Sequence, residues 1–589
     1  MRDPRSISLR PGRQLLPALY LAAMAAMAAM AAVAVSAQMA GPGAMPPPAP
    51  APAPAAAAAP LAPAAAAPAA TTAPPLLDSL GSYHRAVTTS SPEAQRYFDQ
   101  GLRLLFAFSL EEAQLSFEAA ARLDPACASC WWGAATSLGP HINVPGMPDR
   151  TLAAHRVIAK ALALAPRATA VEQALIAAAA KRSSDPAPAD KAGQAALDQA
   201  YAGAMREVTR RFPDDLDAAA LYAEALMDVH PWDYWTAAGA PQPWTVEVLA
   251  TLEGVLRRDP GHPGANHYYI HAVEASPHPE RALAAADRLS NLMPGAAHLV
   301  HMPSHVYARV GRYADASAAN RRAIVADQAF IERFHPQGFY LMYAAHNHQF
   351  LWSTALMEGR GAEALQQARE TVAMLPAEAL RAMPGYDGGL EYPIWTLVRI
   401  GRFAEALREP APPADFSYAI AAWHAARGIA LAASGDPADA EPERRAVAAG
   451  LAAIPADAPQ GFNTARSLLA VALPLLEGEM AAARGQLPAA AAKLREAVAA
   501  EDALNYDEPA DWYFPLRPRL AALLLAANRA AEAQAVCEED LRRHPENGWA
   551  LAVLAESLRR QQKAAEAQRT EQRLARAWAT ADLKPGAGG

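Results

Sequence analysis

The chain has 589 residues, well above the length below which a hydrophobic core is hard to build, so it needs no staple merely to fold. A formal charge of −8, with no basic run beyond the first residues, excludes nucleic acid as the main partner. Hydrophobic residues make up 52%, mostly alanine with little β-branched patterning, which predicts helix throughout and an all-α fold.

The first 37 residues combine Arg2, Arg5, Arg10 and Arg13 with an apolar run from Leu15 to Val35 and a small-residue site, Val35-Ser36-Ala37, before Gln38. This is the pattern of a secretory signal and predicts an exported protein, periplasmic or secreted. The run is long for a signal, so an uncleaved N-terminal anchor is the alternative; no other stretch is expected to span a membrane. Residues 38–80 are largely Pro and Ala, which bury too little apolar surface to fold, and predict an extended tether. The remaining expectations are a folded region over 81–580 and a short disordered tail over 581–589.

Three cysteines follow the signal. Cys127 and Cys130 form a CxxC that an oxidising compartment would tend to close, and Cys537 is expected buried and free. Trp131 stands where a c-type haem site would have its histidine, and a lone CxxC is weak evidence for zinc. A structural pair is therefore preferred over a redox or metal role.

From Pro92 the chain reads as helix, turn, helix, closed by Pro125. Tyr97, Gly101, Leu104, Ala113, Phe117, Ala120 and Pro125 sit on the signature places of a unit starting at Ala94, and this resembles the tetratricopeptide repeat. Pro260 and Pro294, 34 residues apart, keep the same register around units starting near Pro263 and Ala297. Roughly nine to eleven units fill the chain. The resemblance implies a right-handed α-solenoid whose concave groove holds a protein or peptide partner. Together, CxxCWWG, HYYIHAVE, HMPSHVYARVGRY and PENGWAL resemble a group of exported bacterial tetratricopeptide proteins.

Insertions interrupt the array at LGPHINVPGMPD with His141, at HPWDYWTAAGAPQPW with His230, and at FHPQGFYLMYAA ahead of His346 and His348. Two acidic-aromatic stretches, Tyr506 to Tyr513 and Tyr386 to Pro393, precede helices and are expected to cap them, with groove lining as the rival.

The densest chemistry lies between His267 and His305, which holds six of the sixteen histidines. On a helix His267, His271 and Glu274 form one stripe, and His298, His301 and His305 another. Imidazole and carboxylate at such spacings are donors for divalent metals, so these six are the candidate ligands of one or two transition metals. The repeat resemblance implies that all six face the groove, with His346 as a further ligand from the next unit. His230, Glu224 and His141 are additional candidates, as ligands or as groups behind them. Copper or zinc suits an all-histidine set, and Glu274 among the ligands would tilt toward zinc, iron or manganese. No Gly-rich phosphate loop, GxSxG or HExxH is present. Three functions stay open: metal binding or metal-dependent partner recognition, a metal-dependent hydrolase or oxidase at the same cluster, and a metal-free interaction scaffold.

Overall fold

A computed structural model describes residues 73–336 and 339–584. Helices carry nearly all of the regular structure, and a two-stranded hairpin, Pro459–Gln460 with Asn463–Thr464, is the only sheet among the described residues. The stretches expected to form a signal and most of the tether lie outside the described residues. Among those described, no helix is long and apolar enough to cross a membrane.

The first repeat shows why the pairs form. Helix α1 (Pro92–Phe106) starts where the Ser91 side chain accepts from the Ala94 amide and Pro92 occupies the first turn, a start that leaves few amides unsatisfied. Helix α2 (Leu110–Leu123) lays Phe117 into the gap between α1 and the following helix, Ala128–Thr136. A Cβ on Gly101 would lie 2.8 Å from the Phe117 ring, and one on Gly133 2.3 Å from it. The small residues thus set how closely the helices approach. Alanines buried along the helix faces repeat the device through the array, giving one core from Leu80 to Met357 and a second from Trp352 to Ala567.

The site is built by α3 (Pro263–Glu274), α4 (Leu283–Leu292), α5 (Ala297–His301), α6 (Pro303–Arg309), α7 (Tyr313–Phe334) and α8 (Phe339–Met357). The stripe His298, His301, His305 was expected on one helix. Instead the helix breaks at Met302, because Pro303 has no amide hydrogen to continue the ladder. The His305 amide instead bonds the Met302 carbonyl, which keeps His305 beside His301.

The array also folds back on itself. Gly311 takes φ +80° at the turn into α7, and a Cβ there would lie 2.4 Å from the Pro545 carbonyl oxygen. Trp549 Nε1 donates to the Leu356 carbonyl at 2.8 Å and Trp578 Nε1 to that of Met357 at 3.0 Å.

Both ends of the folded region extend beyond their expected limits. The last residues of the stretch expected as a tether, 38–80, are packed on the domain: Tyr97 donates to the Pro74 carbonyl at 3.0 Å, the Leu77 amide bonds Gln100, and Leu80 is fully buried. The first residues of the stretch expected as a tail are held as well, since the Asp582 carboxylate accepts from the Gly361 and Ala362 amides at 2.7 and 2.9 Å. Those amides are free because they open the helix Gly361–Met374, where a carboxylate is favoured. Cys127 and Cys130 are joined as a disulfide, and Cys537 is buried and free.

Candidate metal centre

Six imidazoles from α3, α5, α6 and α8 meet inside the fold. They form two groups, His267 with His271 and His298, and His301 with His305 and His346, and within each group the donor atoms lie within 4.8 Å of one another. Ring centroids within a group are 4.8 to 6.1 Å apart. Across the groups His271 and His305 are 6.1 Å apart and His298 and His301 are 6.0 Å apart, so the six rings line one chamber.

The backs of the rings are held by oxygens. His267 Nδ1 donates to the Phe106 carbonyl at 2.7 Å, a carbonyl left free because it ends α1. His271 Nδ1 donates to Glu274 Oε1 at 2.7 Å, and His305 Nδ1 to Glu274 Oε2 at 2.5 Å. His301 Nδ1 donates to Asn320 Oδ1 at 2.7 Å, and the Asn320 amide nitrogen is turned to the Ala316 carbonyl, which fixes its oxygen toward the ring. His346 Nδ1 donates to Gln349 Oε1 at 2.9 Å, while Gln349 Nε2 donates to Tyr392. An oxygen acceptor at Nδ1 places the proton there, so in the neutral ring Nε2 carries a bare lone pair.

The Nε2 atoms meet in pairs across the chamber, and of the six rings only His298 lacks an oxygen behind Nδ1. His301 Nε2 and His305 Nε2 are 2.8 Å apart, and His267 Nε2 is 3.1 Å from His298 Nε2. His271 Nε2 and His298 Nδ1 are buried with no hydrogen-bond partner. Metal–imidazole bonds of about 2.0 Å separate adjacent donor nitrogens by about 2.8 to 3.3 Å in square-planar or tetrahedral arrangements. The observed spacings fall on the edge of such a polyhedron.

Electrostatics favour the neutral form for five of the six rings. Burial first, and then the neighbouring imidazoles, push His267, His298 and His301 well below their ordinary values, and His346 down to about 4. Burial lowers His271 as well, against the pull of Glu274. His305 is the exception: burial opposes its charge, yet the Glu274 carboxylate beside it carries it upward. Burial works against the Glu274 carboxylate in turn, but His305 and His271 hold it well below the usual range.

Glu274 was expected among the ligands; the structure places it behind them. Both of its oxygens are engaged by Nδ1 atoms of different groups, and Tyr506 Oη approaches at 3.4 Å, so its lone pairs point away from the chamber. Its role is to orient one ring of each triad. His346, a secondary candidate, is a full member of the second group. His141 stacks on Phe108 at 4.1 Å and stands behind that ring. His230 lies flat against Trp244 at 3.7 Å, and Glu224 belongs to a buried network with Asp228 and Arg182, so neither reaches the chamber. His348 turns to Gln367 on another face of α8.

Asn320, Gln349 and the Phe106 carbonyl were missed by sequence reasoning. Gln349, three residues after His346 on one helix, was the only one with a local signal; the others come from a different helix or from 161 residues away.

Aromatic rings wall the chamber: Phe108 at 4.6 Å from His267, Tyr343 at 4.6 Å from His298, Phe350 at 4.9 Å from His305 and Trp232 at 5.4 Å from His271. The groove side is covered by later repeats. Tyr506 sits under Arg309 at 5.2 Å, and Phe462 of the hairpin meets Trp232 at 5.4 Å. Asp511 holds that hairpin, accepting from Asn463 Nδ2 at 2.8 Å and from the Phe462 amide at 3.2 Å. The stretch around Tyr506, expected to cap the helix after it, therefore lines the groove: its side chains point across to α3 and the hairpin.

No family model and no curated protein matches the chain. Among solved structures it is similar to human IFIT1, as a dimer with m7Gppp-AAAA, at 11% identity over 84% of this chain and 92% of that one with a TM-score of 0.29. It is also similar to yeast Tom70, at 11% identity over 82% and 92% with a TM-score of 0.28, and to Cut9 in the APC/C Cut9-Hcn1 hetero-tetramer, at 12% over 79% and 76% with a TM-score of 0.26. Superpositions this loose carry no argument about function.

Proposed function

We propose that the two histidine triads bind two transition-metal ions in a closed centre, and that the protein is an exported metalloprotein. The observation that supports this most directly is the pair His301 and His305. Both rings give their Nδ1 proton to an oxygen, so their Nε2 atoms, 2.8 Å apart in a buried space, have one cation to share, either a proton on His305 or a metal ion. Such an arrangement is repulsive unless a cation lies between the nitrogens. A proton could serve that pair, but it would leave His271 Nε2 and His298 Nδ1 buried without partners.

With Glu274 behind the rings, each ion has an all-imidazole donor set. This removes the reason to favour iron and leaves copper ahead of zinc by intrinsic affinity. Three protein donors per ion leave a coordination position for a small ligand. The metal-free scaffold reading is weakened, because a peptide in this part of the groove would have to displace Tyr506 and part Phe462 from Trp232.

The test is metal analysis of the full chain purified without an affinity tag from its own compartment, beside His271→Ala and His301→Ala. Two ions per chain, with one lost in each variant, is the expected result. A protein that holds no metal, even after reloading with copper or zinc, refutes the centre.

A further inference from the structure

Resting on the two-metal reading, we infer that the copper-loaded centre takes up dioxygen between its two ions. Three features of the chamber point to this ligand. The donors are neutral imidazoles with no carboxylate or thiolate among them, so two cuprous ions bring a total charge of +2 into a buried space. Each ion has three protein nitrogens and an open position. The triads share one chamber, with rings of opposite triads as near, at 6.0 and 6.1 Å, as the more distant rings within one triad.

The electron balance closes without an outside reductant. Each Cu(I) gives one electron, the O–O double bond of O2 becomes the single bond of peroxide, and the dianion is held between two Cu(II) ions. No proton is consumed. The net charge of the chamber is +2 before and +2 after, so burial does not oppose the step as it would oppose oxidation of one isolated ion. A neutral ligand with no hydration shell also suits the walls. Phe108 and Tyr343, which pack on His267 and His298, also border a narrow cleft carrying Glu111, Glu112 and Arg150, so on that side apolar rings stand between the chamber and the charged groups.

The experiment loads the full chain anaerobically with two equivalents of Cu(I) and then admits O2, following uptake with an oxygen electrode, the near-ultraviolet absorption and electron paramagnetic resonance. The expected result is one O2 per two copper ions, a new intense near-ultraviolet band, and no cupric resonance, because the two spins pair through the bridging ligand. Zinc-loaded protein should take up none. His346→Ala, checked for unchanged helical content, should hold one copper fewer and lose the uptake.

Two bound coppers with no O2 uptake, or with the full-strength resonance of two isolated cupric ions, would overturn the inference and leave the two-metal centre standing. Failure to bind two copper or two zinc ions would sink both. Uptake by the zinc form, or by His346→Ala, would also overturn it.

Discussion

The sharpest consequence of the geometry concerns Glu274→Gln, a change of nearly equal volume. The carboxylate accepts from His271 Nδ1 at 2.7 Å and from His305 Nδ1 at 2.5 Å, one ring from each triad. A carboxamide has one accepting oxygen and one donating nitrogen. Whichever way it turns, one of the two rings meets an N–H and must present a lone pair at Nδ1. The proton of that ring moves to Nε2, and the triad loses a donor. Loss of such an orienting partner typically weakens metal binding 10- to 100-fold, or about 1.4 to 2.8 kcal/mol, and here the penalty falls on one ion rather than both. Competition titration with a chromophoric chelator should therefore show one ion bound much as in the parent and the other at least about 10-fold weaker. Two ions held with parental affinity in Glu274→Gln would refute the tautomer reasoning and the bridging role together.

Three further outcomes follow from other parts of the fold. Asp511→Ala should free the hairpin that covers the groove, so a chelator should strip metal faster while the number of ions bound stays the same; an unchanged stripping rate would mean that the hairpin is no barrier. Gly133→Ala puts a Cβ 2.3 Å from Phe117 and should destabilise the domain by about 1 to 3 kcal/mol, with partial recovery on adding Phe117→Leu, as read by thermal unfolding. Glu112 is pushed up to about 7, by burial first and by Glu111 second, and its Oε2 has no partner. Between 4.5 and about 7 the unfolded chain binds fewer protons at this position than the folded one, so the Glu112 contribution to stability falls as pH rises through that window and is level above it. Glu112→Gln should accordingly raise stability at pH 8 by about 2 to 3 kcal/mol more than at pH 5, and an equal effect at the two values would count against the buried charge.

Much of the architecture follows from local chemistry in the chain. Alanine-rich helices with Gly101 and Ala113 facing Phe117 can pack only as close pairs, and Pro125, Pro260 and Pro294 end their helices wherever those lie. Five of the six imidazoles could be named for the same reason, since a helix places residues three, four and seven apart on one face whatever surrounds it, whereas His346 was reached only through what the repeat resemblance implies. Only the tertiary structure decided what each group does. Glu274 carries the right spacing for a ligand, yet its lone pairs are taken by two Nδ1 atoms, one on its own helix and one 31 residues away. Pro303 interrupts the hydrogen-bond ladder at Met302, yet Met302 keeps helical angles and the stripe His298, His301, His305 stays on one side. The partners that fix the ring protons come from Phe106 and Asn320, and the cover comes from Tyr506, 232 residues from Glu274. Helical spacing is a property of neighbouring residues, whereas the side of an imidazole that carries its proton is set by whichever acceptor packs behind it, and in a solenoid that folds back on itself those acceptors are distant in the chain.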